Sequence, residues 1–443
     1  MNSTDGERAA SGARCDDFDP HRATYLDEKS VRDEMTREFD VCNGCRRCTA
    51  FCTSFPTLFD MLDARPGSDA GRLTPAQQDR VVDECFQCGR CATECPYTPD
   101  LHELAIDVPR LVQRAAAMRY AAGQISTRRR VTNALMGRTD AIGRLASALP
   151  SIANGVVGGR AGSLRRRIVM AVTGLSAARP LPTFVRPRFS AWMDRRADAT
   201  IGAANDVTLF PTCIVEYQSP GLGADLVRVY ERNGIGCRPS DAGCCGAPSL
   251  HAGAARRFAR IAGRNVSRLA AEARRGDIVV VEPSCARAIA EYARTVSPSA
   301  RADAELVARR LVTTAEPLMH TYRADAGAID TCFGGPVPAT IFHTGDDASY
   351  RLLALTGAHV EPVDQASGIG GLWSLRADHD RVADELTGRL AAALAEVGGG
   401  RPGTSVTGDS ALANLAIADV TGLAVAHPIE LLARAYGFAK YQG

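Results

Sequence analysis

From residue 205 the chain alternates short apolar runs with longer amphipathic stretches. NDVTLF (205–210) has the apolar, β-branched character of a strand and ends at Pro211, Thr212 and Cys213. LGADLVRVYERNG spaces its apolar residues as a helix does and stops at Gly234. A turn follows with Cys244, Cys245, Gly246, Ala247 and Pro248, then a long helix over 253–275 and a strand, DIVVVEPS, that ends at Cys285. The order then repeats more weakly. TIFH (340–343) reads as a strand, 348–357 as a helix, HVEPVD as a strand, 377–397 as a helix, 405–406 as a short strand and 410–418 as a helix. Alternation of this kind predicts parallel sheets covered by helices, in two similar α/β halves.

The first 200 residues are patterned differently. Residues 1–30 are polar and form an extension. TPAQQDRVVDECFQC reads as a helix with Thr74 as N-cap and Pro75 at the first helical position. This predicts a mostly helical module over 31–109, rather than a compact β-hairpin type. Residues 110–200 interleave arginines with Val131, Leu135, Met136, Ile142, Leu145 and Leu149, carry few acids, and close with Pro180, Pro182 and Pro187. They read as amphipathic helices and a linker. Their charge suits either a solvated cationic surface or a docking face for anionic lipid or an acidic partner. Nucleic acid is not expected, because aromatic residues are scarce there and no groove-reading motif appears. The α/β halves then occupy 201–330 and 331–443.

Composition narrows the setting. A chain of 443 residues holds two or three domains. A net charge of +2 argues against the whole molecule being a polyanion binder. No apolar run reaches the ~18 residues that span a bilayer; the longest, Ile168 to Ala178, lies between Arg167 and Arg179. The start, MNSTDGERAASGARCDD, has no apolar core of a secretory signal. The fifteen cysteines are therefore expected as thiols in a reducing cytoplasm, not as disulfides. A peripheral position on the inner face of the membrane stays open through the basic segment.

Eight of those cysteines fall into two copies of one spacing. Cys42, Cys45, Cys48 and Cys52 form C-x2-C-x2-C-x3-C, and Cys85, Cys88, Cys91 and Cys95 form it again, followed by Pro96. This is the bacterial ferredoxin run for [4Fe–4S] clusters, in which the fourth cysteine ligates the other cluster. Cys42, Cys45, Cys48 and Cys95 are thus expected on one cluster, and Cys85, Cys88, Cys91 and Cys52 on the other. Zinc prefers separated C-x2-C pairs. Thr53 stands where a proline would follow Cys52, but that proline is not a ligand.

Cys213, Cys244, Cys245 and Cys285 form a further set, C-x30-C-C-G-x38-C, at predicted strand ends and turns. Open α/β sheets gather ligands at the carboxyl ends of strands, and Gly246 lets the backbone approach one closely. With TLFPTC, GCCGAPSL, EPSC, FDVCNGCRRCTAFCTSFPTLFD and the closing HPIELLARAY, the chain over roughly 31–440 resembles a family of iron–sulfur subunits. These join a two-cluster ferredoxin module to two CCG domains of the heterodisulfide-reductase type, as in the iron–sulfur subunits of anaerobic glycerol-3-phosphate dehydrogenase and of glycolate oxidase. The resemblance implies a third iron–sulfur cluster, cubane or non-cubane, on Cys213, Cys244, Cys245 and Cys285.

The chain departs from that pattern in both halves. Glu282 replaces one cysteine of the first half and is expected to be structural, since soft clusters prefer thiolate. In the second half Asp346, Ala366, Ser367, Asp409 and Leu412 stand at cysteine positions, so no second metal site is expected there. His343 reads as a structural donor, and Cys15, Cys237 and Cys332 as plain thiols.

Three functions follow. The favoured one is an electron-transfer subunit that takes electrons from a partner flavoprotein dehydrogenase of the glycerol-3-phosphate or 2-hydroxy acid type and passes them to a quinone or soluble carrier. No flavin or nicotinamide motif in the chain supports substrate oxidation by itself. The alternative is disulfide reduction at the CCG cluster, disfavoured by the thiol-free second half. A redox sensor or nucleic-acid-associated cluster protein is the third.

Overall fold

The protein is described here by a computed structural model, which describes residues 18–196, 206–363 and 372–441. The positions 366 and 367 of the second half, and Cys15, lie outside these residues. By contacts the chain divides into two compact units. One comprises the residues through Asn133 together with Pro248–Phe258; the other comprises Ala134–Ala247 and Ala259–Gly443. The first boundary falls inside the arginine-rich segment.

The first unit is helical among its described residues, as the sequence predicts. Helices Glu28–Cys45, Ser54–Asp63, Pro75–Glu84, Arg90–Glu94 and Val108–Ala121 enclose Val31, Met35, Phe39, Leu58, Leu62, Val81, Leu111 and Met118. Thr74 caps its helix in a capping box with Gln77, and Pro75 takes the first turn, where its missing N–H costs nothing. Arg114 is fully buried, with two of its three guanidinium nitrogens hydrogen-bonded to neutral oxygens. It donates to Tyr25 O (3.0 Å), Thr24 O (2.8 Å) and Ser30 Oγ (2.7 Å), which anchors the start of the unit to its last long helix. In the segment Pro248–Phe258, Gly253 has φ +73° and sits so close to Ala116 that a Cβ would lie 2.2 Å from its carbonyl oxygen.

The second unit carries two four-stranded parallel sheets. Strands β1 (Val207–Phe210), β2 (Cys237–Pro239), β3 (Ile278–Val280) and β4 (Leu311–Val312) lie in the order β2-β1-β3-β4. Strands β5 (Thr340–His343), β6 (His359–Pro362), β7 (Thr404–Thr407) and β8 (Val425–Ala426) repeat it as β6-β5-β7-β8. The central strands β1 and β3 are buried throughout, as parallel strands covered on both faces must be. One core joins the halves: Leu209, Leu226, Tyr230 and Val279 of the first pack with Leu352, Ile429 and Leu432 of the second.

Two details differ from the sequence reading. The run DIVVVEPS is not one strand to Cys285. Pairing stops at Val280, and Pro283 opens a helix, Pro283–Ala290, that carries the cysteine in its first turn. Strands β2, β4 and β8 are three, two and two residues long, too short to show a period.

In each half the first and second strands pair on one side, and the third strand joins from the other. The reversal lies between β1 and β3, and between β5 and β7. Ligands of open α/β sheets bind outside the carboxyl ends of the strands at such a point.

Candidate metal centres

In the first unit the eight cysteines sit where helices end and the chain turns. Cys42 and Cys45 occupy the last turn of Glu28–Cys45, which stops because Arg46 adopts the left-handed conformation (φ 56°). Cys48 lies in the single turn Arg47–Ala50, and Cys52 just precedes Ser54–Asp63. The second copy also uses positive φ, at Gln87 (56°) and Gly89 (78°), to curl the chain between Cys85 and Cys91. Backbone amides point at the sulfurs: Arg90 N donates to Cys88 Sγ and Tyr97 N to Cys95 Sγ, both at 3.4 Å.

The thiols lie close enough to perturb one another. Burial pushes the Cys42 thiol well up, and Glu38, Cys48, Cys95 and Cys45 add to it as nearby negative charges. Burial raises Cys85, with Cys52 and Cys88 contributing. Burial likewise raises Cys91, with Cys85, Cys88 and Cys52 as its next neighbours. Cys48 is pushed up to about 12 by burial and then by Cys52, Cys95 and Cys45, so it feels the charge of thiols from both runs. Cys52 rises to about 11 for the same first reason, with Cys88 as its nearest thiol partner. Cys95 thus acts on Cys42 and Cys48, and Cys52 acts on Cys85, Cys91 and Cys48, so the two runs adjoin at Cys48 and Cys52. As bare thiolates these groups would repel one another in a half-buried pocket. A bound polycationic iron centre would remove that repulsion and ionise them outright, so the donor set fits the clusters.

In the second unit Cys213, Cys244, Cys245 and Cys285 come together at the carboxyl ends of β1, β2 and β3. Cys213 opens the helix Cys213–Tyr217 capped by Thr212, and Cys285 lies in the first turn of Pro283–Ala290. Positive φ (84°) at Gly246 turns the chain after the cysteine pair. The four sulfurs form a continuous contact. Cys213 and Cys245 both hydrogen-bond Cys244, and Cys245 Sγ lies 3.1 Å from Cys285 Sγ, all as free thiols. The hydrogen bond from Cys213, then that from Cys245, holds the Cys244 thiol well below its ordinary range. Four converging soft donors fit an iron–sulfur centre. Among the described residues no three His, Cys, Asp or Glu side chains close on a single ion; a cluster spreads its thiolates over several irons and needs no such closure.

Residues that the motif does not contain position this turn. Asp140, from the helix Thr139–Ala148, accepts from Cys244 N (2.8 Å). Asn265 donates to Cys244 O (3.1 Å), and Tyr292 OH donates to Cys245 O (2.7 Å). Sequence reasoning missed all three; Asp140, an acid in an arginine-rich stretch, was the one with a visible signal.

Around the switch point of the second half, polar groups stand where thiols would. Asp346 caps the helix Asp347–Ala354, accepting from Ser349 N (2.7 Å). Asp409 Oδ2 accepts from Asp346 N (2.6 Å). His343 is hydrogen-bonded on both ring nitrogens, to Thr407 Oγ1 (3.0 Å) and Asp346 O (3.1 Å), and burial lowers its pKa. Leu412 is buried against Ile214 and Leu375. Glu282 is buried, accepts from Ser410 Oγ (2.8 Å), and is pushed up to about 7 by burial. Cys237 is buried on β2 and Cys332 is exposed, both free.

Comparison with known proteins agrees with this layout. Residues 34–105 match the 4Fe-4S dicluster domain, and residues 207–290 match the cysteine-rich CCG domain. The chain is similar to the glycolate oxidase iron-sulfur subunit of Escherichia coli K12, with 25% identity over 62% of this chain and 65% of the relative. It is 29% identical to a subunit of anaerobic glycerol-3-phosphate dehydrogenase from the same strain, over 32% of this chain and 34% of that one. It is 26% identical to lactate utilization protein A of Shouchella clausii, over 43% and 84%. The chain thus spans less than two thirds of the length of the first two.

Proposed function

We propose that this chain, which carries a 4Fe-4S dicluster domain and a CCG domain, is an iron–sulfur electron-transfer subunit served by a partner flavoprotein dehydrogenase. The observation that carries the reading is the doubled cysteine run of the first unit, two copies of C-x2-C-x2-C-x3-C within the 4Fe-4S dicluster match at residues 34–105. Iron–sulfur clusters, when bound, take up and release electrons singly. Cys42, Cys45, Cys48 and Cys95 would hold one cluster and Cys52, Cys85, Cys88 and Cys91 the other, with their amide donors fixing the sulfurs. Cys213, Cys244, Cys245 and Cys285 would hold a third. A flavin is the suitable donor, because it collects two electrons from a substrate and releases them one at a time. A 2-hydroxy acid or glycerol 3-phosphate is the substrate class of the partner, supported by the similarity to the glycolate oxidase, lactate utilization and glycerol-3-phosphate dehydrogenase proteins.

The acceptor is a quinone or soluble carrier. Peripheral contact with a membrane is supported by helices Thr139–Ala148 and Leu164–Thr173, which expose Leu145 (72%), Leu164 (74%) and Val172 (70%) beside arginines. Among the described residues no helix is long and apolar enough to cross a bilayer. Disulfide reduction at the row of thiols is the competing reading, favoured by the lowered Cys244.

Anaerobic co-purification tests the proposal. A flavin-bearing chain should co-purify, and the isolated protein should show no dehydrogenase activity. Replacing Cys85 or Cys88 should block onward transfer without stopping flavin reduction. Substrate oxidation by the isolated chain would overturn the reading.

A further inference from the structure

We propose that the apolar cavity beside Cys213 binds the ring of a lipophilic quinone, making this chain the site of quinone reduction. The inference rests on the electron-transfer reading above and adds where the acceptor docks. The cavity measures about 160 Å³ and is walled by Met136, Ile142, Leu181, Phe184 and Leu375, with Cys213 in the same wall. A cavity of about 150 Å³ lined by Leu, Ile and Phe stays dry and takes up a benzene ring. The space here is of similar size and lining but open on one side, which suits a flat apolar ring with a chain leading out of it. Its position is the second argument. Cys213 heads the row of four thiols, so any occupant lies against the redox centre those thiols would form.

The few polar groups suit two ring carbonyls. Thr139 and Gln218 are in the wall. Thr139 Oγ1 is buried between the cavity and the Cys244 thiol, so an occupant would share this hydroxyl with that sulfur. Tyr217 also lines the space, and its hydroxyl is bonded to Arg144 and Asp140. Gly143 permits this placement, since a Cβ there would lie 2.4 Å from the Tyr217 ring. The helices that form the wall, Thr139–Ala148 and Pro150–Val157, expose Leu145 and Ile152, and Leu149 at the joint between them is exposed as well. An isoprenoid tail leaving the cavity would meet a surface of the same chemistry. The reaction balances as quinone plus two electrons plus two protons to quinol. The electrons come from the reduced flavoprotein by way of this chain, and the protons come from water.

The test is equilibrium dialysis of 2,3,5,6-tetramethyl-1,4-benzoquinone, a single-ring quinone, against the anaerobic, iron-loaded protein, with no turnover. The unaltered chain should bind one equivalent. Leu181→Trp, which fills the cavity, should weaken binding at least tenfold at unchanged iron content and visible absorbance. Ile142→Trp, at the more exposed rim, should do the same and decides the matter if the first variant loads iron poorly. Absence of binding to the unaltered chain, or binding indifferent to both substitutions, overturns the inference. Reduction of the protein by flavoprotein and substrate, measured without quinone, separates the two readings. If that fails, the electron-transfer reading falls; if it succeeds while dialysis shows no binding, only the quinone site falls.

Discussion

Replacing Asp409 by asparagine removes a charge from the thiol-free half while keeping an oxygen that can accept from Asp346 N. Burial, followed by the neighbouring Asp346 carboxylate, raises the Asp409 pKa to about 7. Its unfolded value is about 3.9. The sign follows from that difference. Below about pH 4 the group is protonated in both states, and the wild-type and variant proteins differ by a constant only. Between about pH 4 and 7 folding must take up a proton, at a cost of about 1.4 kcal/mol per pH unit, and above pH 7 the cost levels off near 4 kcal/mol. The carboxylic acid thus favours the fold fully below its unfolded pKa and loses that advantage as pH rises through the folded one. Asparagine carries no such cost. Denaturant unfolding of the anaerobic, iron-loaded proteins at pH 5 and pH 8 should show the variant gaining about 3 kcal/mol on the wild type between the two. Glu282 titrates in the same range and its charge is one of those that raise Asp409, so removing the Asp409 charge eases its ionisation too and adds to the gain of the variant at pH 8. A difference that does not change from pH 5 to pH 8 would refute the claim that Asp409 is held neutral in a dry site.

Cys88→Ser should cost about four irons and destabilise the first unit, because cluster binding is part of its folding energy; iron analysis and visible absorbance check this. Stoichiometric zinc with no visible absorption in anaerobic wild-type protein would contradict the cluster assignment. Gly253→Ala places a Cβ against Ala116 O at a positive φ and should destabilise by roughly 1–3 kcal/mol, read by denaturation. Binding to anionic vesicles should fall steeply with salt if the arginines beside Leu145 and Leu164 dock to lipid; sedimentation that ignores salt, or none at low salt, removes the electrostatic anchor.

The parts of this structure legible in the sequence are those with a period or a fixed chemical spacing. Strand β5 runs over TIFH as read, and Thr74-Pro75 opens its helix as read, because both signals are local. The ferredoxin and CCG spacings name their chemistry because a ligand needs its donors at set separations. The short strands were not legible, since Leu311–Val312 owes its pairing to β3 and not to its own pattern. Nor was the support around the thiols. Asp140 lies 104 residues from Cys244, and Tyr292 lies 47 from Cys245, distances over which no local pattern speaks. The cavity beside Cys213 was equally hidden, because Leu135, Leu181 and Leu375 meet only after folding.

The most direct test of the central claim is anaerobic mixing of the protein with its co-purifying flavoprotein and that partner's substrate, followed by electron paramagnetic resonance and cluster absorbance. The account predicts that the clusters of this chain become reduced only when both partner and substrate are present, and that Cys88→Ser interrupts onward transfer while the flavin is still reduced. Flavin reduction that leaves these clusters oxidised would contradict it, as would disulfide reduction by the isolated chain with a signal that depends on Cys244 and Cys245 alone.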